Sequence, residues 1–310
     1  MSRLLVTLVI LSLASSAHGG DEAIYYVGNS LTAQAEPYRI WQMSNARGYA
    51  HERGLHIKCG AGLDYIWNHP TEVCVTPNSY GTFGEALPGH DWSKVTLEPY
   101  YDTLTGPTAA VERMADFIAL SQSTGRNAGT NFFVYSAWPN STGAGFDFSA
   151  AWDAEYDPAV SATRMTRDFM HQSTLALREH PGVDGEHIFM VPVGDVLYEL
   201  DQRMKAGGVD GFTGVHELYN DAPHLTQIGN WIAGMTFYSS FWGESPVGLS
   251  ATYYGQSLTP EQTLAFQETV WEVVSSHPFT NVPEPAAALP LLLGLLALRR
   301  APRRTIRGRC

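Results

Sequence analysis

Cysteine is scarce: the 310-residue chain has three, at positions 59, 74 and 310. A disulfide-dense scaffold and a cysteine-rich metal domain are thereby excluded. The 11 histidines include no His-x-x-x-His pair, the spacing that sets two imidazoles on one helix face for zinc, so no metal is expected. No Walker phosphate loop and no Gly-x-Gly-x-x-Gly fingerprint occurs, which leaves no nucleotide cofactor to expect. Nor is there a Gly-x-Ser-x-Gly elbow, the mark of the α/β-hydrolases. Basic residues are few, 19 against 31 acidic. Long apolar runs are missing too: the stretch 286–298 has 13 residues, against about 20 for a stable membrane-spanning helix. No internal repeat is visible.

The two ends carry signals of their own. Met1-Ser2-Arg3 is a short basic start, Leu4 to Ala14 is apolar, and Ala17-His18-Gly19 offers the small residues of a cleavage site. Residues 1–19 therefore read as a removable export signal. At the far end Val282-Pro283-Glu284-Pro285 precedes the apolar stretch, and six arginines follow it, at 299, 300, 303, 304, 307 and 309. This order resembles the PEP-CTERM sorting tail of exported bacterial proteins. The resemblance implies that residues 282–310 hold the protein transiently in the inner membrane, arginines inside. An exosortase-type transpeptidase would then cut the tail and pass the protein to the cell surface. An ordinary C-terminal membrane stub is the alternative. Setting aside Arg3, the tail arginines and Glu284 leaves 12 basic and 30 acidic residues over 21–282, a balance near −18. Nucleic acid or an anionic membrane would be repelled, and neutral substrates suit such a surface better.

Residues 20–281 suffice for one α/β domain with a large core. Cys59 and Cys74 lie within it. In an exported protein they read as a disulfide closing a loop of about fifteen residues, contributing around 3 kcal/mol in the chain-entropy model, with two free thiols as the alternative. Short apolar segments bounded by turn residues, at Ala23–Gly28, Leu55–Cys59, Lys94–Glu98, Asn131–Ser136 and His187–Val193, have the pattern of buried parallel strands. Helical patterns lie between them: Pro37 to about Arg47, Pro107 through Leu120, Ala159–Glu179, Asp195 to about Lys205, and Gln227–Phe241. Thr259-Pro260-Glu261 opens a last one. This alternation predicts an α/β sandwich of three layers, its mostly parallel five-stranded sheet covered on both faces, with ligands bound beyond the carboxyl ends of the strands. The long connections 63–92 and 139–158 are rich in Gly, Pro, Asn and aromatics and read as cover for a site.

Two segments carry the chemistry. Gly28-Asn29-Ser30-Leu31-Thr32 leaves the first strand and presents the Ser30 hydroxyl at a sheet edge, while Asp221-Ala222-Pro223-His224-Leu225 offers a histidine with a carboxylate three residues before it. A nucleophile, a base and a group to orient the base are what acyl transfer needs. Each segment alone has a plainer reading, Ser30 as a helix cap and Asp221 as a cap beside a packed His224. Around the second lie Leu218, Gly229, Phe237-Tyr238 and Gly243-Glu244-Ser245-Pro246-Val247-Gly248. Together the segments resemble the SGNH (GDSL-type) hydrolases over about residues 23–249, with Asn29 where the motif's aspartate would stand.

That resemblance implies a flavodoxin-like esterase fold in which Ser30 is the nucleophile, His224 the general base and then acid, and Asp221 the group that fixes the imidazole tautomer. It implies an oxyanion hole with the Ser30 N–H as one donor and a glycine after the second strand as another. Gly60 and Gly62 are the candidates, Gly62 preferred. The third block departs from the family: where well-known members have Gly-x-Asn-Asp, this chain has Leu97-Glu98-Pro99-Tyr100. Losing one oxyanion donor typically costs about 10²–10³ in rate. Tyr100 and Asn140 are candidates to replace it, and Glu98 to bind a substrate hydroxyl or to shift the pKa of the base. Asn29 and Trp138 complete the candidate pocket, Trp138 as core or pocket wall. The expected function is an exported serine esterase that removes acyl groups, acetyl above all, from carbohydrate-type substrates. The alternatives are an inactive glycan-binding or matrix protein, with Glu98 marking a decayed oxyanion site, and a transferase that moves the acyl group to another sugar.

Overall fold

The computed structural model describes residues 22–106, 109–143 and 145–282. The export signal and the sorting tail beyond Val282 lie outside these residues. A five-stranded, wholly parallel sheet forms the middle layer, in the order β2-β1-β3-β4-β5. Its strands are β1 Ala23–Gly28, β2 Glu52–Ile57, β3 Lys94–Leu97, β4 Asn131–Tyr135 and β5 Ile188–Val191. Every residue of β1 and β3 is buried, which is why they read as unbroken apolar runs rather than alternating ones.

The helices among the described residues are α1 Ser30–Gln34, α2 Pro37–Ala46, α3 Leu63–Asn68, α4 Phe83–Gly89, α5 Ala110–Gln122, α6 Phe148–Trp152, α7 Arg167–Arg178, α8 Val193–Lys205, α9 Gln227–Trp242 and α10 Pro260–Ser276. On one side α2, α8, α9 and α10 pack together; on the other, α3, α4, α5 and α7 do. The pleat divides the strand aromatics between these layers. Tyr26 of β1 and Phe133 and Tyr135 of β4 meet Phe237 and Phe241 of α9, while Tyr25 turns the other way onto Trp92. Helix α9 is buried almost all round because sheet, α2 and α10 enclose it. Among the described residues no helix is long and apolar enough to cross a membrane.

The strand order 2-1-3-4-5 is the flavodoxin-like one, and its direction of growth reverses between β1 and β3. Ligands of such sheets lie at that switch point, beyond the carboxyl ends. Ser30 follows β1 there and Glu98 follows β3.

The sequence reading needs four corrections. Strand β2 starts at Glu52 rather than Leu55 and ends at Ile57. Gly54 interrupts the apolar pattern, yet a Cβ there would lie 2.4 Å from the Tyr25 ring, so the glycine makes room for Tyr25 to cross the strand. The helix expected over 159–179 is a 3₁₀ turn, Ser161–Met165, followed by α7, because the Thr166 hydroxyl accepts the Phe169 N–H and starts a new helix. The helix expected from Pro107, itself outside the described residues, begins at Ala110. Most aromatics of the connection 63–92 pack inward rather than over a site, Trp67 and Phe83 with Phe117 of α5 and Trp92 with Tyr25, while its Asp64 and Tyr65 line a cleft beside Gly60 and Gly62. In the second connection Trp152 is likewise fully buried. Cys59 and Cys74 form a disulfide closing 15 residues.

Candidate active site

The nucleophile loop is built from Asn29. This residue caps α1, its Oδ1 accepting the Leu31 N–H at 2.9 Å, while its Nδ2 donates to the Ala61 carbonyl at 3.2 Å in the loop after β2. Asn29 is thus buried structure rather than pocket lining. Gly28 must be glycine, since a Cβ would sit 2.1 Å from Thr32 Oγ1 and 2.6 Å from Glu98 Oε2. The turn leaves Ser30 at the first position of α1, where backbone N–H groups have no helical partner.

The second loop is held from three sides. Tyr219 and Leu225 form an antiparallel bridge, and the Asn220 N–H donates to the His224 carbonyl at 2.8 Å. The segment after β4 straps it: Trp138 Nε1 donates to the Pro223 carbonyl at 2.9 Å, Ser141 N–H to the Ala222 carbonyl at 2.6 Å, and the Tyr219 hydroxyl to the Pro139 carbonyl at 2.7 Å. Trp138 is a buried strut of the loop and not a pocket wall. Thr226 then caps α9.

These two loops bring together residues 194 apart in sequence. His224 Nε2 lies 2.9 Å from Ser30 Oγ. On its other side, His224 Nδ1 lies 2.7 Å from Asp221 Oδ1 and 3.0 Å from Oδ2. A proton on Nδ1 shared with the carboxylate leaves the Nε2 lone pair facing the hydroxyl, the tautomer a general base needs. The hydrogen bond from His224 holds the Asp221 carboxyl below its ordinary value. Asp221 is half exposed, so its interaction with the ring is screened by solvent.

Two clefts border residues of the site. On the acid side a cleft of about 630 Å³ is lined by Ser141, Phe146, Tyr219, Asn220 and Asp221. On the glycine side one of about 500 Å³ is lined by Gly60, Gly62, Tyr100, Tyr101, Asp102 and Arg164. Both candidate oxyanion glycines therefore border open space, and Gly62 fits tightly: a Cβ would lie 2.6 Å from the Tyr100 carbonyl and from Asp102 Oδ1. Tyr100 edges onto Tyr101, and burial pushes its phenol up to about 12. Tyr101 has φ 55°, a left-handed conformation uncommon for a bulky side chain and typical of functional sites. Asn140 sits in the strap, with Oδ1 buried and without a hydrogen-bond partner among the described residues.

Glu98 is not where a substrate hydroxyl can reach it. It is fully buried, and its Oε2 accepts from the backbone of Asn29 and Thr32. Burial pushes its carboxyl up to about 7. Asp102 escaped sequence reasoning. It caps α3, accepting the Leu63 N–H at 3.1 Å, and burial raises its carboxyl to about 6. Its only signal in the sequence is an acid four residues beyond Glu98, too weak to single out.

A second polar cluster lies apart from the triad. His171 of α7, Asp195 of α8 and His277 after α10 bring Nε2, Oδ2 and Nε2 within 3.1–3.3 Å of one another. Ring chemistry decides against a metal there. The Phe279 N–H donates to His277 Nδ1 at 3.2 Å, so the neutral ring carries its proton on Nε2, where a metal would bind. Metal-binding imidazoles show the reverse arrangement. Burial alone would raise the Asp195 carboxyl, but hydrogen bonds from both histidines hold it well below its ordinary value, and Arg167 Nε occupies Oδ1 at 2.9 Å. The cluster, with Arg167 paired to Asp195, ties the segment after α10 to α7 and α8.

A solved structure shares this architecture. It is the crystal structure of a DUF4886 family protein from Bacteroides uniformis, similar at 14% identity with a TM-score of 0.51, over 82% of this chain and 95% of that one. At such identity the likeness shows a common fold. No family model matches the chain, and no curated protein does.

Proposed function

We propose that the protein is a serine esterase of the SGNH type. One observation carries the reading: a single imidazole within hydrogen-bond reach of a serine hydroxyl at 2.9 Å and of a carboxylate at 2.7 Å, at the switch point of a parallel sheet. In this mechanism His224 takes the proton of Ser30 as the hydroxyl attacks the ester carbonyl. The tetrahedral oxyanion forms beside the N–H groups of Ser30 and of Gly62 or Gly60. His224 then protonates the departing alcohol, leaving an acyl-Ser30. Water, activated by the same imidazole, attacks the acyl carbon and releases the acid.

The open clefts bordered by Asp221 and by Gly60 and Gly62, together with the acidic composition, support a substrate class. An acylated neutral polysaccharide or glycoside, acetyl esters above all, fits both. The PEP-CTERM resemblance adds export, a transient inner-membrane stage and processing by an exosortase-type enzyme. Ser30→Ala should abolish p-nitrophenyl acetate hydrolysis while leaving the thermal unfolding midpoint near that of the wild type. Turnover undiminished in the variant would reject the assignment.

A further inference from the structure

The residue that follows β3 is a carboxylate shut off from solvent and pointed at the nucleophile loop. Its Oε2 collects three donors: the Asn29 N–H at 3.1 Å, the Thr32 N–H at 3.3 Å and the Thr32 hydroxyl. The two residues that supply them bracket Ser30, so one oxygen sets the height and tilt of the turn that presents the nucleophile. The approach is close enough that Gly28 tolerates no side chain. Oε1, the other oxygen, is buried with no partner among the described residues.

We propose that Glu98 is a positioning residue: as a carboxylate it anchors the Asn29–Thr32 turn, and through it holds the Ser30 hydroxyl on His224 and the Ser30 N–H toward the oxyanion. The inference rests on the esterase reading above. It gives the third block of this chain a task other than donating to the oxyanion, since Glu98 touches neither the imidazole nor open space.

Two N–H groups and a hydroxyl aimed at one oxygen need its lone pairs. A proton added to Oε1 finds no acceptor, and one added to Oε2 competes with the donors already there. Protonation therefore loosens the turn. Burial places that event at about 7. The ionisable groups facing Glu98 are the phenols of Tyr135 on β4 and Tyr100 on its own segment. Burial raises Tyr135 well above its ordinary value and Tyr100 to about 12, so both stay neutral while Glu98 titrates.

The test is the rate at which a fluorophosphonate probe labels the full chain between about pH 5 and about pH 9. In the wild type the rate should fall as pH drops through about 7, where Glu98 takes up its proton. In Glu98→Gln the rate at about pH 8 should drop about tenfold, as charge-assisted bonds give way to neutral ones, and the fall through about pH 7 should be shallower than in the wild type. The two profiles then converge toward about pH 5. Thr32→Val keeps the packing and removes one donor; it should slow labelling at high pH while retaining the fall through about pH 7. If Glu98→Gln reproduces the wild-type rate and its fall with pH, or fails to fold while Thr32→Val labels like the wild type, this inference is overturned. A wild-type chain that resists the probe overturns the esterase reading itself.

Discussion

Asp221 and Glu98 are two carboxylates of one candidate site held in opposite surroundings. Asp221 is half exposed and kept low by an imidazole; Glu98 is fully buried and raised from 4.5 to about 7 by desolvation. A carboxyl raised on folding contributes stability that is present in full below its unfolded pKa and lost as pH climbs through the folded value. The Glu98 shift therefore predicts a folded state that loses about 3 kcal/mol from this group between about pH 4.5 and about pH 8. Urea midpoints measured across that range should fall less steeply in Glu98→Gln than in the wild type. A slope identical in both would show that the carboxyl does not titrate in this window. The ionised form that serves the nucleophile is thus the form that weakens the fold, a trade-off common at active sites.

At the scale of elements, glycine placement decides how closely the layers approach. Gly54 lies under the Tyr25 ring, with Trp92 2.9 Å from where a Cβ would be. Gly54→Ala should destabilise the protein by about 1–3 kcal/mol through overpacking, read as a shift in the urea midpoint. Because β2 is an edge strand whose residue 54 is remote from Ser30 in register, esterase turnover of the folded variant should be retained. The strands and long helices were legible from sequence because both faces of the sheet are covered, which turns each strand into a short apolar block. The start of β2 turns on Gly54, whose effect depends on the Tyr25 ring of the neighbouring strand, and the break in the helix expected over 159–179 turns on Thr166, which caps α7. A glycine that usually breaks a strand here accommodates an aromatic ring, and a threonine inside an amphipathic run restarts the helix as a cap. Ser30, Asp221 and His224 were legible because each half of the site is a contiguous motif. Glu98 was singled out too, but its burial against the Asn29–Thr32 turn was not legible, and Asp102 was not found at all, since a carboxyl's burial is fixed by which strands are neighbours, and Glu98 meets Asn29 across 69 residues of chain.

Across the whole molecule the reactive groups gather at one end of the sheet, while the other end is closed by ion pairing. Lys94, at the amino end of β3, is almost fully buried, paired with Glu22 at 2.6 Å and lying 4.1 Å from the centre of the Trp242 ring. The acidic surface and the parallel sheet were both readable from composition and pattern, and the strand order 2-1-3-4-5 adds the geometry that seats Ser30 at the switch point.

The Cys59–Cys74 bond joins the end of β2 to the returning chain, where Ile57 also bridges to Val75, and Gly60 and Gly62 hang directly from it. Reduction would release the stretch that borders the oxyanion while leaving the sheet intact. On the proposed esterase reading, turnover would then be lower with the two thiols reduced and full with the bond formed. Dithiothreitol should accordingly slow p-nitrophenyl acetate turnover by the wild type, and a Cys59→Ser, Cys74→Ser double variant should be slow from the outset and indifferent to the reductant.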